Sequence, residues 1–212
     1  MRKSQLEAAS KTLISFATEM ASSSELPVLD AGCGFGRNAL ALAVRGISVV
    51  CADRRPECLN TLVRFGSKYV AEQGQSDRRV GKLYPMLVNL HPATWPFREN
   101  CFAGIVCVHF VSINLFDMFR SSLISGGHLY FETFGGHGGN YVDLPQAGQL
   151  HDLLSKDYQL QFYREKKVGP IGHDAVTVRL FARKSRSHGR NAGQKGEGRI
   201  WHIKASICPI NA

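Results

Sequence analysis

The chain has 212 residues, 44% of them hydrophobic, which is enough for one sizeable core and short for two. No apolar run approaches the roughly 18 residues of a membrane span, so the expectation is a soluble, cytoplasmic protein without a membrane partner. Formal net charge is +9, but residues 184–212 carry six Lys/Arg against one Glu, so more than half of the excess lies in that segment and the body is only mildly basic.

In chain order, "MRKSQLEAASKTLISFATEM" sets Leu6, Ala9, Leu13, Phe16 and Met20 three or four apart, the period of an amphipathic helix. Glu7 and Glu19 argue against a transit peptide, which leaves a mitochondrial address as the lesser alternative. "PVLDAG" is a short apolar strand ending in a glycine turn, and "RNALALAVRG" a helix stopped by Gly46. "ISVVCAD" is a second strand. "PECLNTLVRFGSKYVAEQG" is helical, with Pro56 suited to its first turn and Gly74 to its end. "KLYPMLVNL" is a third strand, which Pro85 places near an edge or a bulge. "FAGIVCVHFV" is a fourth, and "HLYFETF" a fifth after a Gly126-Gly127 turn. "PQAGQLHDLLS" is a helix, and "YQLQFYREKKVG" and "DAVTVRLFARK" are two strands about the "GPIGHD" turn.

Strands alternating with helices imply parallel βαβ units. The expected fold is α/β: a Rossmann-like, doubly wound, mostly parallel sheet with helices on both faces and a C-terminal antiparallel β-hairpin. Residues 1–24 form an N-terminal helix on the domain, 25–184 the ligand-binding domain, and 185–212 a basic Gly/Ser-rich tail. The tail reads as disordered. The alternative is a nucleic-acid-binding arm, with Trp201 and His202 available for stacking. The six cysteines include no C-x-x-C pair and the eight histidines no H-x-x-x-H, so reduced thiols and no metal site are expected.

Chemistry concentrates in "VLDAGCGFGRNALALAVRGISVVCAD". Gly32, Gly34 and Gly36 form G-x-G-x-G, but Arg37 stands where a dinucleotide fingerprint needs its third small residue, and no G-K-[ST] follows for a phosphate loop. Asp30, two residues before Gly32, repels a pyrophosphate and attracts an ammonium or sulfonium group. Asp53 ends the second strand 17 residues after Gly36, where a βαβ unit places an acceptor for two ribose hydroxyls; alternatively it caps the helix after "DRRP". Arg54 can cover an adenine face. A cationic adenosyl ligand satisfies both carboxylates, and that ligand is S-adenosyl-L-methionine.

These residues resemble the cofactor motif of class I S-adenosylmethionine-dependent methyltransferases. "GCGFGRN" followed by "LAVRG" is similar to the small-molecule, tellurite-resistance (TehB-like) branch. "HPATWPFRENCFAGIVCVHFV", "SGGHLYFETF" and "GNYVDLPQAGQLHDLLSKDYQLQFYREK" are similar to the family's later segments. The resemblance covers about residues 5–184. It implies methyl transfer, with a cradle of Asp30, Gly32, Cys33, Gly34, Gly36, Arg37, Asn38, Asp53 and Arg54. The "NLHP" turn contributes Asn89 and Leu90 on the adenine side, and Val108 and Phe110 follow at the end of the fourth strand. The family's usual acids are replaced by Asn89 after strand three and by Ala103 at strand four. An Asn amide still offers adenine a donor and an acceptor.

The cofactor brings an electrophilic methyl group, so the protein need only hold an acceptor in line with it. Candidate catalytic groups at the strand ends are His109, as a base or packed beside the cofactor, and Glu132, paired with the acceptor or with a nearby lysine. "FGGHGGNYVDLP" is a surface connection or a lid with His137, Asn140 and Tyr141 on the substrate side. The expected partner is a small-molecule methyl acceptor. The alternatives are an RNA or protein methyltransferase recruited through the tail, and a non-catalytic S-adenosylmethionine-binding protein.

Overall fold

The computed structural model describes residues 8–21, 24–73, 80–110, 112–135 and 140–185. The basic tail from residue 186 onward, with its nucleic-acid reading, lies outside the described residues, as do Leu6 and His137.

Three strands have an all-buried pattern: β1 (Val28–Ala31), β2 (Val49–Asp53) and β4 (Phe102–Val108). Continuous apolar strands of this kind must be covered on both faces, the condition of a parallel sheet. They pair in parallel with each other, with β3 (Leu83–Leu87) and with β5 (Leu123–Glu132). Beyond β5, β7 (Val176–Lys184) and β6 (Tyr158–Lys167) run antiparallel, completing the order β3-β2-β1-β4-β5-β7-β6. The sheet is therefore Rossmann-like, mostly parallel, and closed by the expected hairpin. Pro85 lies in β3, an edge strand, where a missing N–H is tolerated.

Two apolar clusters sandwich this sheet. One gathers buried residues from α1 (Lys11–Ser15), α2 (Ala17–Ala21), α3 (Arg37–Ala43) and α4 (Pro56–Gln73). The other gathers Phe116 and Phe119 of α5 (Phe116–Ser122) with Leu150 and Leu154 of α6 (Gln149–Leu154). The crossover from β3 to β4 contains only a 3-10 turn, Pro92–Thr94. An aromatic segment covers the sheet there instead: Trp95 packs edge-on against Phe97 and Phe119, and its indole N–H donates to Ser122.

Two expectations change. The single N-terminal helix is two short ones, interrupted at Phe16, whose backbone leaves the helix at φ −104°, ψ 8°. The break lets Phe16 stack on Phe181 at 4.3 Å and meet Phe162 at 5.7 Å, while Leu13, Ala17 and Met20 stay buried. Gly126 and Gly127 do not precede the fifth strand but lie within β5, where the pairing with β4 shifts register. A side chain on Gly127 would stand 2.8 Å from the Ala103 carbonyl oxygen, so the irregularity requires its absence. No described helix is long and apolar enough to cross a membrane.

Candidate functional site

The carboxyl ends of β1, β2 and β4 meet at the glycine turn, where open parallel sheets bind ligands. Gly32, Gly34 and Gly36 all have positive φ (71°, 56° and 80°). The N–H groups of Gly32 and Cys33 both bond the Ala52 carbonyl at 2.9 and 3.0 Å, which ties the turn to β2. A Cβ at Gly32 would lie 2.8 Å from Phe110, and one at Gly36 2.7 Å from Leu62. Both glycines thus permit close packing as well as the left-handed backbone.

Beside the turn is a cleft of about 280 Å³ lined by Gly32, Ala52, Asp53, Arg54, Arg55, Val88, Asn89, Leu90, His109 and Phe110. This is near the lower end of the roughly 300–1,000 Å³ range of small-molecule sites. Of the residues expected to hold a cofactor, Gly32, Asp53, Arg54, Asn89, Leu90 and Phe110 line it. Ala52, Arg55 and Val88 join them unannounced. Cys33, Asn38 and Val108 are instead buried under the turn, and Asn38 accepts a bond from the Ser10 N–H at 3.0 Å.

Asp53 is 6% exposed. Its carboxylate accepts from the Gly34 N–H at 2.7 Å, the Arg55 N–H at 2.9 Å and the Arg55 Nε–H at 3.2 Å. Burial raises its pKa, but these bonds outweigh it and hold the group below the ordinary aspartate value. The Arg55 N–H precedes α4, so this bond closes the turn before the helix. Arg55 escaped the sequence reading because "DRR" does not say which arginine folds back on the aspartate.

Asp30 is almost completely enclosed, and its Oδ2 has no hydrogen-bond partner among the described residues. Burial pushes its pKa up to about 7, against the opposing effects of the Ala39 N–H and the Arg37 guanidinium. A buried, half-satisfied carboxylate is costly, and such groups concentrate at functional sites.

His109 takes φ +60°, rare for a residue with a side chain, just past β4. Its N–H bonds the Glu132 carbonyl at 2.8 Å, its ring lies 5.1 Å from that of Phe134, and its Nδ1 is 3.1 Å from an Arg37 Nη. A guanidinium only donates, so Nδ1 accepts this bond. His109, the candidate base, thus stands on the wall of the cleft.

Glu132 is not brought to the cleft. Buried at 6% exposure, it accepts from Ser10 Oγ at 2.5 Å, Tyr130 Oη at 2.6 Å and Arg179 Nε at 3.0 Å. Burial raises its pKa, yet these three donors bring it below the ordinary glutamate value. Its cationic partner is an arginine from β7, not a lysine, because strand pairing sets Arg179 opposite Glu132. Tyr141 also points elsewhere: its ring packs on Gly169 and edge-on to His173 in the β6–β7 turn. Asn140 begins a 3-10 turn, Asn140–Asp143. The described residues contain no His/Cys/Asp/Glu group that could hold a metal ion, and Cys33, Cys51, Cys58, Cys101 and Cys107 are free thiols.

The fold is that of class I methyltransferases, as solved structures show. TehB from Haemophilus influenzae matches at 18% identity and a TM-score of 0.57, over 82% of this chain and 62% of that one. Magnesium protoporphyrin IX methyltransferase from Synechocystis PCC 6803, solved with bound SAM, matches at 14% identity and a TM-score of 0.56, over 82% and 77%. The tRNA (m1A58) methyltransferase TrmI from Aquifex aeolicus matches at 16% identity and 0.53, over 88% and 73%. No protein-family model matches the chain, and no curated protein matches it in sequence. Likeness at these identities establishes a shared architecture.

Proposed function

We propose that the chain is an S-adenosylmethionine-dependent methyltransferase acting on a small-molecule acceptor. The observation that carries this reading is the pair of buried carboxylates at adjacent strand ends, Asp53 bonded to the glycine turn and Asp30 with one oxygen unpartnered. A cationic adenosyl ligand suits both: Asp53 takes the ribose hydroxyls and Asp30 the positive charge of the methionine portion. Asn89 and Leu90 border the adenine side and Arg54 covers the ring. The likeness to the magnesium protoporphyrin IX methyltransferase, solved with bound SAM, supports this reading.

Bound here, S-adenosylmethionine supplies a sulfonium methyl group. The chain's own part is to bind, orient and exclude water. Gly32 lets Phe110 close against the turn, because a Cβ there would stand 2.8 Å from the Phe110 side chain. His109, held by Arg37, lines the cleft beside Phe110. Alignment alone can lower the barrier by roughly 7–11 kcal/mol, so an acceptor that is already nucleophilic needs no base.

Calorimetric titration with S-adenosylmethionine tests the reading. Binding is expected in the native chain, with Asp53→Ala weaker by about tenfold or more, the loss of one charge-assisted bond pair. Equal affinity in the variant, or no binding to the native chain, overturns the proposal.

A further inference from the structure

The carboxyl end of the sheet carries a charge arrangement that the fold does not need. Val108 of β4 pairs with Glu132 of β5, Glu132 with Arg179 of β7, and Arg179 with Arg164 of β6. Residues in register on neighbouring strands share a face, so these four form one row. The row lies on the side covered by α1 and α3, where Val108, Tyr130 and Phe181 are core residues. Arg179 and Arg164 are thus directly opposed like charges, an unfavourable pairing in a sheet.

Glu132 does not resolve the conflict for both arginines. It is buried and engages Arg179 through Nε at 3.0 Å, while the Arg179 side chain remains 50% exposed. Held by Nε, the guanidinium is fixed in orientation and has its Nη donors for a second acid, the fork geometry that matches a carboxylate. Arg164 is exposed on the neighbouring strand. The row adjoins the cleft wall at one strand's distance, because the Glu132 carbonyl holds the backbone N–H of His109, a cleft-lining residue. Two residues beyond Glu132, Phe134 is 57% exposed and its ring lies 5.1 Å from that of His109.

We infer that this row is the acceptor subsite and that the acceptor is a small carboxylic acid with an apolar body. Arg179 and Arg164 bind the carboxylate, which relieves their mutual repulsion, and the apolar part lies toward Phe134. This assignment rests on the methyltransferase reading and adds the substrate class to it.

The test uses the full chain saturated with S-adenosylhomocysteine, titrated calorimetrically with benzoate, benzamide and inorganic phosphate. Benzoate is expected to bind, and benzamide and phosphate to bind about tenfold more weakly or less, a difference of one charge-assisted contact. Arg179→Met is expected to weaken benzoate by about tenfold. Arg164→Met, at an exposed position where folding is not at stake, is expected to weaken it by about threefold. Both variants retain S-adenosylhomocysteine affinity. Benzamide or phosphate binding as tightly as benzoate, or benzoate affinity unchanged in Arg164→Met, overturns the inference. A chain that binds S-adenosylhomocysteine but not benzoate loses the acceptor assignment alone. A chain that binds neither loses the methyltransferase reading beneath it.

Discussion

Asp30 and Asp53 are the same residue type at the ends of adjacent strands, yet their surroundings push them in opposite directions. Asp53 is lowered by Arg55 and Gly34, while Asp30 is raised to about 7 by burial. For Asp30 the folded-state pKa exceeds the unfolded one. Its contribution to stability is therefore full near and below about pH 4 and falls as pH rises through about 7. Asp30→Asn keeps an oxygen for the Ala39 N–H and removes the buried charge. The variant should melt at a higher temperature than the native chain at about pH 8, with the difference vanishing toward about pH 4. It should also bind S-adenosylmethionine more weakly at about pH 8, and its affinity should lose the rise between about pH 6 and 8 expected of the native chain. Thermal unfolding and titration across that range check both; a less stable variant at about pH 8 would contradict the burial argument.

The glycine turn shows how an element converts sequence into a site. Gly36 combines φ +80° with a Leu62 methyl group 2.7 Å from where a Cβ would stand, so it sets both the entry into α3 and the contact of α3 with α4. Gly36→Ala adds a left-handed alanine, costing about 1–2 kcal/mol, and a steric conflict that the flexible end of Leu62 partly relieves. A loss of about 2 kcal/mol in urea unfolding is expected, with weakened cofactor binding because the Cys33–Gly36 turn must open. The element scale also shows which neighbours engage Glu132 and Tyr141. Each sits where a strand end or loop meets the sheet's carboxyl edge, but a partner from β7 or from the β6–β7 turn takes up the side chain. Chain order alone places a residue at an edge; it does not say which neighbour arrives there.

Across the whole molecule, the N-terminal helices form part of the same core as α3, α4 and the central strands. Leu13 and Met20 are buried with Tyr130 and Phe181, and Ser10 links Asn38, Tyr130 and Glu132. We propose that residues 8–21 fold with the domain as one unit. Leu13→Ala should then cost about 2–5 kcal/mol, the range for a fully buried leucine, in a single urea transition. A separate early transition, or a loss below about 1 kcal/mol, would mark the segment as detachable.

The sequence by itself determined the alternation of strands and helices, the closing hairpin and the two acids flanking a glycine turn. Each of these depends on local periodicity or on spacing within one βαβ unit. Only the tertiary structure decided that Arg55 folds back on Asp53, that Arg37 reaches His109, and that Arg179 reaches Glu132. The last of these contacts joins residues 47 apart and follows from strand register, while Ser10 reaches Glu132 across 122 positions. Register and helix docking are set by the burial of whole faces, and no short stretch of sequence contains that information.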